Sequence, residues 1–458
     1  MALDRRRLIA SITTGLAWSA ASAAPRSLFA APPPAPESAP RLRGPDGAVD
    51  WRAVRDLFPL AKDKLHFASF LFVSHPAPVA AAIEGFRRKL DADPTWIEGA
   101  AFEPNSAERP FTEVKKALAG YVGGLPEELC LTSNTTSALA MAYHGLRIRP
   151  DQEIVTTEHD HYSHHEAIRL AALRSGAAVR RVSLYDEGAN ARADEIVARL
   201  SRAISPKTRA VGVTWVHSST GVKLPIAAIA ETVAKANRGR AEADRCLLVV
   251  DGVHGFANQD VDVARLGCDF FAAGAHKWLF APRGTGFLWG RKDVWAAVRP
   301  TIPTFDPDGL DAYVAWMEGK PLATTRAANV SPGGFLAYEH VLAIPAAVEL
   351  HREIGRDRIA ARIRDLNGAF REGAAKLPGV TLHTPRDPEL SGGISCYEVA
   401  GLQPEEVVHR LAAKKIRTTA SPYKVSYARV ACGVMNFPEE VDTVLREIRG
   451  LSKQAARL

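Results

Sequence analysis

The stretch GAHKWLF, residues 274–280, ends an apolar run and sets one lysine, Lys277, between a histidine and a tryptophan. Lysine is seldom buried without a partner, so one flanked by CDFFAA and WLF either snorkels to the surface or is held for chemistry. CLLVVDGVHGF, residues 246–256, has the same form and ends its apolar run on Asp251. The interval between acid and lysine suits strand, turn, helix and strand. Working outward, LCLTS, EIVTTE, AVRRVSL, AVGVTWV, LLVVDGV, FFAAGAH and TGFLWG alternate with helix-length amphipathic segments from about residue 112 to 290. That alternation predicts an α/β fold with a mostly parallel, mixed sheet. Its ligand site belongs beyond the carboxyl ends of the strands, where Asp251 and Lys277 fall.

The last third has another texture. A helical stretch covers 339–377, followed by VTLHT, GGISCYEV, the helix PEEVVHRLAAKKI and YARVACGV, an α+β pattern suited to a smaller domain. The expected organisation is a large domain over 111–325 and a small one over 326–458, with segment 51–110 packing against the latter. At 458 residues the chain exceeds what one core normally serves, in keeping with that division.

The first residues, MALDRRRLIASITTGLAWSAASAAP, combine Arg5, Arg6 and Arg7, an apolar stretch from Leu8 to about Trp18, and the small residues ASA at 21–23. This reads as a signal peptide over 1–23, and Arg5-Arg6 followed by Leu8-Ile9 fits the twin-arginine pattern of proteins exported folded. The expected location is the periplasm, with the twin-arginine machinery as export partner. The apolar stretch is short and rich in Ser and Thr for a membrane anchor. Residues 24–50 read as a Pro/Ala-rich linker. The net charge of +7 falls to +5 without Asp4 and the three arginines, and no Lys/Arg block interleaved with aromatics supports nucleic-acid binding. Five cysteines sit in apolar contexts without metal-type spacing and read as buried thiols.

An acid and a lysine facing one crevice fit pyridoxal phosphate, whose aldehyde takes a lysine and whose ring nitrogen takes an acid. A phosphate cradle is then required. LTSNTTSALAM, residues 131–141, offers hydroxyls and amides at what reads as a helix N-terminus, although SNTTS alone is equally a helix cap.

With these residues in view, DGVHGF followed by AHKWLFAPRGTGFLWG resembles the class V aminotransferase family of fold-type I pyridoxal phosphate enzymes, over nearly all of the chain from residue 65. That family includes cysteine desulfurases, isopenicillin N epimerase-like proteins and periplasmic enzymes that modify the pyoverdine side chain. The resemblance implies that Lys277 forms the Schiff base, that Asp251 pairs with the pyridine nitrogen, and that His254 lies near the 3-hydroxyl. It further implies that Thr135, Thr136 and His276 hold the phosphate, with Thr325 reaching the partner's phosphate in a homodimer with a shared site. In TTEHDHYSHHEA, residues 156–167, the aromatic over the ring falls on His161, with Tyr162 its rival. A zinc site is the other use of such a His-rich loop, but the spacing matches no common ligand pattern.

Arg429 matches the family's substrate-carboxylate arginine. Two departures stand out. IRTTASPYKVSYA, residues 416–428, holds no cysteine where the desulfurases carry a nucleophilic one, and Gly274 stands where a serine is usual. The expected activity is aminotransferase-type chemistry on an amino acid, free or peptide-linked. An epimerase, a carbon–sulfur lyase or a catalytically silent binding protein are the alternatives.

Overall fold

The computed structural model describes residues 42–44, 46–68, 70–98, 109–321 and 324–455; the signal peptide and most of the linker lie outside them. All seven apolar runs form strands. After β1 (Leu65–His66), the chain lays down β2 (Leu129–Thr132), β3 (Glu153–Thr157), β4 (Ala178–Val182), β5 (Thr208–Thr214), β6 (Leu247–Asp251), β7 (Phe270–Gly274) and β8 (Gly286–Gly290). The seven from β2 to β8 join in one sheet of order β2-β8-β7-β6-β5-β3-β4. Only β8 runs against its neighbours, so the sheet is mixed and mostly parallel as expected. Strands β5, β6 and β7 are buried at every position, which is why they read as unbroken apolar runs rather than alternating ones.

Two apolar layers sandwich the sheet. Val211, Val213, Leu248, Val250 and Phe271 face one core, and Ala210, Leu247, Val249, Phe270 and Ala272 the other. These are the odd and even positions of the same strands, as pleating requires.

The later part of the chain builds a second, antiparallel sheet from β9 (Val380–Leu382), β10 (Ser395–Val399), β12 (Thr419–Ala420) and β13 (Ala428–Val430), in the order β12-β13-β10-β9. Its core includes Phe370, Tyr397, Val407, Leu411, Val430 and Val444. Strand β1 pairs in parallel with β11 (Ile416–Arg417), and Phe67 enters that same core. The segment before residue 110 is thus tied to this part, and an Ala68–Ala431 bridge, the Arg55–Glu440 ion pair and the Asn436 side chain on the His66 carbonyl add further ties. Its helix Ala77–Ala92 also packs on the helices Tyr338–Leu342 and Ile344–Ile354. The helical stretch read as one over 339–377 is three helices, interrupted at Ala343 and again at Gly355, which takes φ +101°.

Candidate active site

Four strand ends converge on one crevice. Asp251 is the last residue of β6, and Lys277 follows β7 by three residues. Thr135 opens the helix Thr135–Gly145 after β2, and His161 is the N-cap of the helix Tyr162–Ser175 after β3. The turn that presents Lys277 is a strained one. Phe280 closes it with its amide on the Lys277 carbonyl at 3.2 Å and with φ +62°, a left-handed value that costs a non-glycine residue about 1 kcal/mol. Burial of the Phe280 ring against Phe58 and His351, at 5.1 and 5.2 Å, offsets that strain.

Lys277 Nζ lies 3.4 Å from His254 Nε2, and Trp278 Nε1 donates to His254 Nδ1 at 3.4 Å. An indole can only donate, so the imidazole proton belongs on Nε2 and points at the lysine nitrogen. Such a contact suits an amine with a free lone pair. Burial depresses the Lys277 pKa in the same sense, with Asp251 opposing and Arg429 adding to the effect. Among the described residues no carboxylate lies within ion-pair distance of Nζ. Burial likewise raises the Asp251 pKa, although Val253 N donates to its carboxylate at 3.1 Å and Lys277 lies near.

Phosphate chemistry has its features at the head of the helix Thr135–Gly145. Asn134 accepts from Ser137 N at 2.9 Å as the N-cap, and Thr136 stands exposed in the first turn. Thr135 Oγ1 accepts the Gly274 amide at 2.7 Å and keeps its own hydroxyl proton free to donate. That contact explains Gly274. A Cβ there would stand 2.7 Å from His276 Cε1 and 3.3 Å from Thr135 Oγ1, so a serine has no room while His276 Nδ1 donates to the Thr285 carbonyl at 3.1 Å. The hydroxyls of Thr135 and Thr136, the helix N-terminus and His276 together suit a phosphate dianion.

His161 is half-buried, with its pKa pushed down to about 4 by burial and by the nearby Lys277, His164 and Arg429. Tyr162, its rival, is 63% exposed, its ring centroid 4.3 Å from that of His161. The other histidines of this loop diverge. His165 bonds the Thr157 carbonyl at 2.7 Å, His164 the Tyr143 hydroxyl at 2.8 Å, and His159 stacks on Tyr185 at 3.8 Å. Among the described residues no group of three or more potential ligands is disposed to hold a metal ion.

Arg429 lies on β13 and is buried beneath the crevice, its guanidinium 5.0 Å from the Phe70 ring. It donates to Thr419 Oγ1 at 3.1 Å, to the Ser218 carbonyl at 3.0 Å and to the Ala420 carbonyl at 2.9 Å, but among the described residues it has no carboxylate partner. A buried cation without a counter-ion is a site for an anion. Two residues that sequence reading did not assign to the site belong beside it. Ser218 Oγ and Tyr423 Oη are 2.7 Å apart, and the Tyr423 ring meets His161 edge-on at 6.0 Å. Tyr423 comes from the short hairpin that lacks a cysteine, and this hairpin is tied to itself by Ser421 N to Tyr427 O, Tyr427 N to Ser421 Oγ and Ser426 Oγ to Ser421 O.

Thr325 does not join this cluster within one chain. It is half-buried and precedes Arg326, which bonds the Asp308 carbonyl and Asp311. All five cysteines are buried and unpaired, the thiols expected.

Residues 74–442 match the model of the family Aminotransferase class-V. The chain belongs to that family. It is 31% identical over 360 residues to isopenicillin N epimerase of Streptomyces clavuligerus, covering 77% of this chain and 85% of that one. A probable cysteine desulfurase of Methanothermobacter thermautotrophicus is 26% identical over 360 residues, covering 77% and 82%. Among solved structures, a cystine C–S lyase in complex with its product cysteine persulfide superposes with a TM-score of 0.72 at 22% identity, covering 86% and 99%. The cysteine desulfurase of Thermococcus onnurineus superposes at 0.73 and 21% identity, covering 88% and 98%. The fold is therefore the fold-type I architecture expected, and pyridoxal phosphate is the cofactor of this family.

Proposed function

We propose that this protein is a pyridoxal phosphate-dependent enzyme acting at the α carbon of an amino acid, free or within a peptide, with aminotransferase-type chemistry. The observation that carries the reading is Lys277: a buried amine whose pKa burial lowers to about 8, 3.4 Å from His254 Nε2 and set at the strand ends between Asp251 and Arg429. When bound, the cofactor supplies an aldehyde for amines and a ring that withdraws electrons from the adjacent carbon. The chain supplies the rest. Asp251 would hold the ring nitrogen's proton, His161 would cover the ring, His254 would serve the 3-hydroxyl, and Thr135, Thr136 and His276 would hold the phosphate. Arg429 would fix the substrate carboxylate, and the Lys277 amine would serve as the base that moves the proton at the α carbon.

A homodimer with a shared site accompanies this reading, with Thr325 serving the partner's phosphate. Exposed Phe72, Phe305, Trp316 and Phe335 favour a covering partner. Intact Lys277, Asp251 and Arg429 speak against a silent binding protein, and the cysteine-free hairpin speaks against desulfuration through an enzyme persulfide. Epimerisation is the second reading, favoured by the 31% identity to an isopenicillin N epimerase and by the Tyr423 hydroxyl beside Ser218. Export of the folded holoenzyme to the periplasm would explain the twin arginines, since a phosphate dianion crosses membranes poorly. Replacing Arg5 and Arg6 by lysine should then leave coloured protein in the cytoplasm, and continued export would refute the route.

The decisive test is Lys277→Ala. Purified protein should absorb in the visible with bound pyridoxal phosphate and lose that band in the variant; an unchanged band refutes the assignment. Appearance of a pyridoxamine form with an amino donor supports transamination, whereas solvent deuterium at an inverted α carbon supports epimerisation.

A further inference from the structure

Beneath the crevice lies a buried polar chain that the reading above leaves unused. We propose that Asp160 is a positioning residue of the cofactor site: a fixed carboxylate anion that sets His161 in place and keeps negative charge behind Asp251. The inference rests on the pyridoxal phosphate reading.

Asp160 is 1% exposed and bridges the ends of two strands. Its Oδ2 accepts Thr156 Oγ1 and Thr157 N from β3, each at 2.8 Å, and its Oδ1 accepts Thr214 N from β5 at 2.8 Å. These three donors settle the carboxylate as an anion. Burial acts to raise its pKa, but the net direction is down, held there by His164, His217 and the donors from Thr157 and Thr214. Among the described residues no arginine or lysine pairs with it; His164 Nδ1 and His217 Nε2 each lie 3.9 Å from Oδ1.

Both imidazoles are kept neutral by burial, His164 near 4 and His217 near 3. Each is braced by a tyrosine hydroxyl at 2.8 Å, Tyr143 on His164 Nε2 and Tyr185 on His217 Nδ1. His217 Nε2 is buried and has no hydrogen-bond partner, so a proton there leaves an N–H dipole facing the Asp160 carboxylate. The sheet makes room for this arrangement at Gly212 of β5, where a Cβ would stand 2.2 Å from the Tyr143 hydroxyl and 2.9 Å from His164 Nε2.

Two consequences reach the site. His161 is the next residue, and its ring Nδ1 accepts Ser163 N at 3.3 Å as the helix cap, so pinning Asp160 between β3 and β5 fixes where the ring begins. The second consequence is electrostatic. Thr214 is the register partner of Asp251 on the neighbouring strand, which puts the Asp160 anion one strand behind the Asp251 carboxyl. The charged and titratable groups facing this pair are Lys277, Tyr143 and Tyr423 on the Asp251 side, His159, His164, His217, Tyr143, Tyr185 and Tyr423 on the Asp160 side, and Lys277, Arg429, His164 and His165 around His161. An uncompensated anion there favours any cation held at Asp251, including a protonated pyridine.

Asp160→Asn removes the charge and keeps the shape, and Asp160→Ser leaves room for a water to satisfy the Thr157 and Thr214 amides should the asparagine variant not fold. Three readouts follow on protein loaded with pyridoxal phosphate: the pH midpoint of its visible absorption, its dissociation constant for the cofactor, and Tm. We expect the midpoint to fall by about one pH unit and cofactor binding to weaken roughly ten-fold, with Asp160→Glu restoring most of the midpoint. A lowered Tm with unchanged midpoint and cofactor affinity overturns the proposal and makes Asp160 a turn lock only. A midpoint that falls equally in Asp160→Glu also overturns it. A visible band that survives Lys277→Ala instead sinks the cofactor assignment itself, so the two failures are distinct.

Discussion

Replacing Arg429 tests substrate recognition most directly, because the structure apportions its five N–H donors. Nε is spent on Thr419, one Nη1 hydrogen on Ser218 and one Nη2 hydrogen on Ala420. One hydrogen remains on each Nη, enough for the two bonds by which a guanidinium holds a carboxylate. Two charge-assisted bonds contribute about 1.5–3 kcal/mol each, so Arg429→Gln should lower kcat/KM for an α-amino acid by roughly 10²- to 10⁴-fold. Arg429→Lys keeps the charge but not the fork and should retain part of the activity. The three structural bonds are lost as well, at about 1 kcal/mol each, so Tm should fall by several degrees while the bound cofactor keeps its colour. The assay compares the spectral response to a panel of amino acids with that to the matching amines lacking a carboxylate. If the variant loses amines and amino acids alike, or keeps amino acids within about ten-fold, the carboxylate assignment is wrong.

Two further outcomes follow from burial. In the apo-protein the raised pKa of Asp251 means that the native state keeps a proton the unfolded chain releases, so stability is full below about pH 4 and is lost as pH rises toward the raised value. Apo Asp251→Asn should therefore melt above the wild type at neutral pH, with the gap closing near pH 4, and should gain less from pyridoxal phosphate; no gap at neutral pH would refute the raised value. Gly274→Ser, which restores the residue usual in the family, should weaken cofactor binding, because its Cβ meets His276 and Thr135. Equilibrium dialysis showing tighter binding would refute the steric account.

What could be read from the sequence follows from the range over which each signal acts. Asp251 and Lys277 stand out because each terminates an apolar strand, and a local pattern suffices to flag them. The SNTTS hydroxyls could be offered as a phosphate cradle from the sequence, but a helix cap looks the same whether or not it faces a phosphate, and the position of His161 came only with the family resemblance. The antiparallel course of β8 left no mark, because a short buried strand is apolar in either direction. Ser218 and Tyr423 were missed for a different reason. Their hydroxyls meet across 205 positions of sequence, and neither sits in a pattern that separates it from an ordinary loop residue. Asp160 was likewise hidden, in a loop whose four histidines took the attention, first as a ring-covering candidate and then as metal ligands set aside on spacing.

The same accounting explains why the polar groups gather at one end of the sheet. Elsewhere β5, β6 and β7 obey the pattern of a buried parallel strand, with apolar side chains on both faces. At the carboxyl ends stand Asp160, Asp251, His164, His217 and His254, all buried, with Lys277 half-buried among them and the buried Arg429 reaching in from β13 of the second sheet. Burying Asp251 and Lys277 without a salt bridge is unfavourable, as the opposed directions of their pKa shifts record. On the proposed reading a bound dianionic cofactor would relieve these terms together: Asp251 would partner its ring nitrogen, Lys277 would hold its aldehyde, and the Thr135 hydroxyl with the helix N-terminus would hold its phosphate. Binding energy then appears as stability, by RT ln(1 + [L]/Kd). Pyridoxal phosphate at a hundred times its Kd should thus stabilise the protein by about 2.7 kcal/mol, and the gain should shrink in Asp251→Asn, where the group that needed a partner is already neutral. Equal stabilisation of both proteins by the cofactor would show that the penalties at the strand ends are not what the cofactor relieves.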